Sequence, residues 1–200
     1  MSAITLKDAL EARDVLARPI LSPEGIVVGE REPISGLTNA VHYEHPLEDY
    51  VLERFKAGMT TWYGGLQGYC PFALQSPWDD FTPWGGNYRG MGYIYRARNA
   101  PIPTIELAGY RDGVNDFTSL EMLERRMAAC RGRQLDAAAA QAFAAAEVLV
   151  RSAPAKFRVS YMDASAKLTV TDFDEFHAEL QRLIIALDTG VMVRKDNANP

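Results

Sequence analysis

Lys156-Phe-Arg-Val-Ser-Tyr-Met-Asp-Ala-Ser-Ala-Lys-Leu-Thr-Val-Thr171 is the stretch on which the fold turns. Phe157, Val159 and Tyr161 alternate with Lys156, Arg158 and Ser160, the period of two expected of a half-buried strand. Asp163 to Ala166 reads as a turn, and Leu168 and Val170 continue as a second strand, so a short antiparallel hairpin is predicted. Two strands alone are marginal in water, and a helix on either side must cover them.

Both helices are available. The alanine-rich segment Gln134 to Ser152 is a strong helix former whose small residues permit close approach to another helix, with Pro154 as its stop. Downstream, Asp172 and Glu175 frame a capping box. Phe173, Phe176, Leu180, Leu183, Ile184 and Leu187 then form an apolar stripe that ends before Gly190. An earlier helix is predicted to open at Thr118-Ser119-Leu120-Glu121, run through Leu123, Met127 and Cys130, and break at Gly132.

The upstream half is more broken. A short amphipathic helix is expected over Thr5 to Arg18. An extended arm rich in proline and glycine follows, around the run Ile26-Val27-Val28. Pro46 to Ala57 suits a helix with Gly58 as its stop. Gly92 to Ala97 and Thr104 to Ala108 read as strands separated by Pro101-Ile102-Pro103, and Asp112-Gly113 as a turn.

The expected fold class is therefore α+β, a loop-rich N-terminal region with an extended arm followed by a C-terminal helix-hairpin-helix unit. Its parts are residues 1–45 (helix and arm), 46–115 (aromatic, Gly/Pro-rich, with short strands), 116–190 (the helix-hairpin-helix unit) and 191–200 (a polar tail), together one structural domain plus an arm.

Two hundred residues with 48% hydrophobic content are enough for a real core, and a net charge of −5 disfavours gripping phosphate backbones. Two cysteines, Cys70 and Cys130, suggest reduced thiols instead of a disulfide framework. With no export signal and no run long enough to span a membrane, synthesis in the cytoplasm is expected, with no membrane partner.

Candidate chemistry is scattered. His42, Glu44 and His45 offer metal-ligand types at a spacing that neither strand nor helix converges, leaving a third ligand to come from His177 or a distant carboxylate. Cys70 could act as a nucleophile with His42 or His45 as base and Asp79 or Asp80 as orienter, although an isolated cysteine usually packs as a small hydrophobe. Trp78, Asp79, Asp80 and Trp84 carry the rings and paired carboxylates of a sugar site, while adjacent aspartates are more often a turn. Arg125, Arg126, Arg131 and Arg133, with Arg89, Arg96 and Arg98 interleaved among Tyr88, Tyr93 and Tyr95, could stack on a nucleic-acid strand or form a protein contact.

None of these sets converges on a catalytic centre, and no cofactor is expected. The rings Trp62, Tyr63, Trp78, Phe81, Trp84, Tyr88 and Tyr93 sit among glycines and prolines, and contiguous apolar surface of that kind invites association. The sequence therefore points to a structural or assembly component of a larger particle, of viral or phage type, binding neighbouring subunits in a homo-oligomer or mixed assembly. A small hydrolase or carbohydrate-active protein is the alternative, and a nucleic-acid-contacting module the second.

Overall fold

A computed structural model describes residues 20–21, 39–42, 49–66, 68–71, 93–95, 100–160 and 163–192. Three short strands pair in parallel in the order β1 (Ile20–Leu21), β2 (Asn39–His42), β3 (Gly68–Pro71). Parallel neighbours need a crossover, and between β2 and β3 it is a continuous helical rod: α1 (Tyr50–Phe55), a π-helical turn (Lys56–Thr60) and α2 (Thr61–Tyr63). A two-stranded antiparallel ribbon, β4 (Ile94–Tyr95) with β5 (Ile102–Pro103), leads into α3 (Ile105–Cys130). The chain finishes with α4 (Ala137–Lys156), a short α5 (Ala164–Lys167) and α6 (Val170–Met192).

Helices make up most of the described residues, so the chain is helix-rich with a C-terminal helical unit, and α+β overstates its strand content. The predicted hairpin is the main correction. Lys156 ends α4, Phe157 follows in a turn, 158–160 are irregular, Ala164–Lys167 is helical, and α6 has begun by Val170. The alternation around Phe157 reflects a connection that drops one ring inward. Phe157 is fully buried, with its ring 5.1 Å from those of both Phe173 and Phe176 on α6. A single large aromatic at a helix end thus seals the α4–α6 corner, and its burial mimics the inward face of a strand.

Helix starts are set by caps that differ from those expected. Thr169, not Asp172, is the capping residue of α6: its amide bonds Asp172 Oδ2 at 2.9 Å, and the Asp172 amide returns a bond to Thr169 Oγ1 at 3.3 Å. Thr104 caps α3, accepting from the Leu107 amide at 3.3 Å, so residues 105–108 are helix and not strand. Thr118 is mid-helix, where its hydroxyl donates to the Val114 carbonyl at 2.8 Å. Asp49 caps α1, so the rod starts at Tyr50 rather than Pro46. Gly132, at φ +74°, does lie in the break after α3. Pro154 fails to stop α4, which runs on to Lys156, and α6 continues past Gly190. The expected helix over Thr5 to Arg18, the run Ile26-Val27-Val28 and the polar tail after Arg194 lie outside the described residues.

Asp172, which returns the hydrogen bonds of the Thr169 cap, makes the start of α6 responsive to pH. Its hydrogen bonds from the Thr169 hydroxyl and amide hold its carboxyl below the usual carboxylate range. A depressed folded pKa means stabilisation that is present above the ordinary value and lost as pH falls through the folded one. Asp172→Ala is therefore expected to cost about 1 kcal/mol near neutrality. The gap from the unsubstituted chain in paired thermal melts should shrink as pH falls below the ordinary carboxylate range.

Candidate functional site

The central rod is buried on every side: residues 52 to 64 all lie in the interior. A helix enclosed all round normally carries only apolar side chains, yet this one holds Glu53, Arg54 and Lys56, at 1%, 3% and 0% exposure. Each of these charges has to find its counterpart inside the protein, because an isolated buried ion is far too costly. The partners come mainly from α3, α6 and the segment before β4.

Arg54 is the hub. Its Nε lies 2.7 Å from Asp116 Oδ2 and its second terminal nitrogen donates to Asp116 Oδ1 at 3.2 Å, a two-pronged grip on a carboxylate that is itself buried on α3. Its remaining terminal nitrogen reaches Asp174 Oδ1 on α6 at 2.6 Å and the Tyr50 hydroxyl at 3.2 Å. The guanidinium also stands over the Phe173 ring, 5.2 Å from its centroid. Burial alone would lower the Arg54 pKa, but the bonds to Asp116 and Asp174 outweigh it and hold the guanidinium charged. Asp116 is pushed up by burial despite Arg54 and His177.

Asp116 has a second partner. Its Oδ1 is 2.8 Å from Nδ1 of His177, whose ring is partly exposed. An ionised carboxylate only accepts, so Nδ1 carries the proton, leaving Nε2 facing the Gln181 amide at 3.5 Å. Gln181 in turn donates to Ser119 on α3 at 2.8 Å. Arg54, Asp116, Asp174, His177, Gln181 and Ser119 thus lace α1, α3 and α6 together.

A second buried set is built on Glu53 and Lys56, which flank Arg54 in the same stretch of the rod. Lys56 Nζ bonds Glu53 Oε1 at 2.9 Å, and the Tyr93 hydroxyl donates to Glu53 Oε2. Buried Glu106 of α3 acts electrostatically on Lys56 and Tyr93. Burial lowers the Lys56 pKa, while burial and then the Glu53 charge raise that of Tyr93. The Tyr93 carbonyl accepts from both the amide and the hydroxyl of Thr104, tying this ring to the start of α3. The π-helical turn lies where these groups converge, and the Thr61 hydroxyl satisfies the Lys56 carbonyl at 2.8 Å.

Backbone contact makes both networks possible. Gly109 and Gly113, four apart on α3, and Gly58 of the π turn lie where the rod meets α3; a Cβ built on Gly113 would stand 2.6 Å from the Arg54 carbonyl oxygen. The Asp112-Gly113 pair, expected as a turn, is therefore a helical contact surface, and Gly58, expected as a stop, is enclosed within the rod. With the backbones this close, short side chains such as Asp116 can reach across.

Three of the rings expected to wait for a partner are internal. Trp62, Tyr63 and Tyr93 are all buried against the chain's own helices and ribbon, where their area stabilises the subunit. Trp78, Phe81, Trp84 and Tyr88 lie outside the described residues, as do Glu44, His45, Asp79 and Asp80; His42 and Cys70 belong to β2 and β3 by their backbone. His177 meets Asp116 and Gln181 and is 61 residues from its carboxylate partner, a pairing with no local sequence signal. In the basic cluster, Arg125 bonds Glu121 at 2.8 Å and Arg126 bonds Asp188 at 2.7 Å. Two open clefts, of about 320 and 280 Å³, share Phe117, Glu121 and Arg125 and are separate from the buried networks. Among the described residues no group of three or more His, Cys, Asp or Glu could hold a metal ion, and no helix is long and apolar enough to cross a membrane. Comparison with protein-family models, curated proteins and solved structures finds no match to this chain.

Proposed function

We propose that this chain is a structural or assembly component of a larger protein particle, its helical body serving as a rigid block that binds neighbouring subunits. The observation carrying this reading is the outer surface of α4 and α6, where Val148 and Ile185 are 55% and 61% exposed on helices otherwise packed against each other. Large aliphatic side chains held in water on a stiff scaffold gain by association. The interior supports the same reading: the ionic groups of the rod spend their hydrogen bonds tying helices together, which favours a body that keeps its shape when bound. The predicted viral or phage setting and the binding role of the N-terminal arm belong to this proposal as its context.

The test is mass in solution by sedimentation over a wide range of protein concentration. Self-association that grows with concentration is the expected result. A single subunit mass throughout, with Ile185→Ser changing neither solubility nor mass, would remove the basis of the proposal.

A further inference from the structure

Three tyrosine rings from three elements meet beside the buried Glu53–Lys56 pair. Tyr110 of α3 stands between the other two, its ring centroid 5.8 Å from that of Tyr93, ahead of β4, and 6.0 Å from that of Tyr69 on β3. Tyr93 and Tyr69 are buried, whereas Tyr110 is half-buried and gives the group a face in solvent. Rings in such contact are close enough for an electron to pass between them, and phenols are among the most readily oxidised side chains.

What distinguishes Tyr93 from its neighbours is the fate of its proton. Its hydroxyl donates to Glu53 Oε2, while Lys56 holds Glu53 Oε1 at 2.9 Å. Burial and then the Glu53 charge raise the Tyr93 pKa, so the phenol does not give up its proton alone. A phenol that has lost an electron is by contrast a strong acid, and the carboxylate is already within hydrogen-bond reach to receive the proton. Tyr110 has a different acceptor: its hydroxyl donates to the Tyr69 carbonyl at 3.2 Å, a backbone oxygen that cannot keep a proton. An electron hole formed on Tyr110 therefore moves to Tyr93, where proton loss stabilises it.

We propose that Tyr93 is a one-electron redox centre, reached through Tyr110, for an outer-sphere oxidant at the surface: an organic radical or a metal complex in its higher oxidation state. In the step the oxidant gains one electron, the Tyr93 O–H bond breaks, the proton forms a new O–H bond on Glu53 Oε2, and a neutral tyrosyl radical remains. Returning the electron sends the proton back, since Lys56 beside Glu53 favours the ionised carboxylate. This activity goes beyond assembly and does not depend on it.

The test is flash oxidation of the full chain by photogenerated tris(bipyridine)ruthenium(III), read by transient absorption and electron paramagnetic resonance. A neutral tyrosyl radical should appear, and more slowly in heavy water, because a proton moves with the electron. Tyr110→Phe, which keeps the half-buried ring, should slow its appearance at least about tenfold. Tyr93→Phe should remove most of the signal. Because that variant takes a buried donor from Glu53 and threatens the fold, a ring-fluorinated tyrosine at position 93 supplies a second reading: it keeps the hydroxyl and should add fluorine splitting to the spectrum. A radical without that splitting, a rate unchanged in heavy water, or no tyrosyl radical at all in the unsubstituted chain would overturn the assignment. An unchanged rate in Tyr110→Phe would overturn the route through that ring.

Discussion

Arg54→Leu is expected to destabilise the protein by about 3 to 5 kcal/mol, read as a fall in the urea midpoint at constant slope. The size follows from what remains behind. Asp116 is almost wholly buried and takes both prongs of the guanidinium; with Arg54 gone, the side-chain partner left to it among the described residues is His177 across the α3–α6 contact. Exposed ion pairs such as Arg125–Glu121 cost little when broken, because water takes over each partner. Water cannot reach Asp116 so readily, and its desolvation cost is no longer offset. Removing both charges, as in Arg54→Leu/Asp116→Leu, should recover much of the loss, since an apolar pair of similar volume avoids the uncompensated ion. If the single variant costs under about 1 kcal/mol, or the double variant is worse than the sum of the two single ones, the picture of Arg54 as a buried three-helix tie is wrong.

How far this architecture was legible depends on the range over which each interaction acts. The apolar stripe of α6, with Phe173, Phe176, Leu180, Leu183, Ile184 and Leu187, was readable because side chains three and four apart share a face, and all six are buried. The alanine content of α4 was readable from propensity alone. Local signals failed where a tertiary contact overrode them. Asp112-Gly113 has turn chemistry, yet the glycine sits inside a 26-residue helix because its missing side chain lets another backbone approach. Phe157 and Val159 have strand alternation, yet no partner strand is paired to them and a helix end uses the ring instead.

The candidate site was less legible still. Arg54 with Asp116, and His177 with Asp116, lie 62 and 61 residues apart, and neither pairing leaves a periodic trace. The one available clue was density of charge: Glu53, Arg54 and Lys56 stand within four residues between the apolar groups Leu52, Phe55 and Met59, which suits a buried rod only if those charges are paired. Aromatic composition misled in the opposite sense. Rings among glycines suggested exposed adhesive loops, but Trp62, Tyr63 and Tyr93 pack inward, where glycines serve helix contact as well as turns.

Gly113→Ala should destabilise the protein by about 2 to 3 kcal/mol, although the same change at an open helix surface would gain up to about 1 kcal/mol from helix propensity. The new Cβ would meet the Arg54 carbonyl oxygen at 2.6 Å, the Ala57 Cβ at 2.8 Å and the Gly58 nitrogen at 3.0 Å. Two of these three atoms are backbone, so no side-chain rotation relieves the crowding and the rod must withdraw from α3. Withdrawal lengthens the Arg54–Asp116 bonds, and part of the cost of Gly113→Ala is therefore the cost of weakening that ion pair. The two substitutions should then fail to add: with Arg54→Leu already present, the further loss from Gly113→Ala should be smaller by at least about 0.5 to 1 kcal/mol in a double-mutant cycle. Strict additivity would mean that helix spacing and the ionic tie are independent, and a stabilised Gly113→Ala would mean that the two backbones do not touch as described.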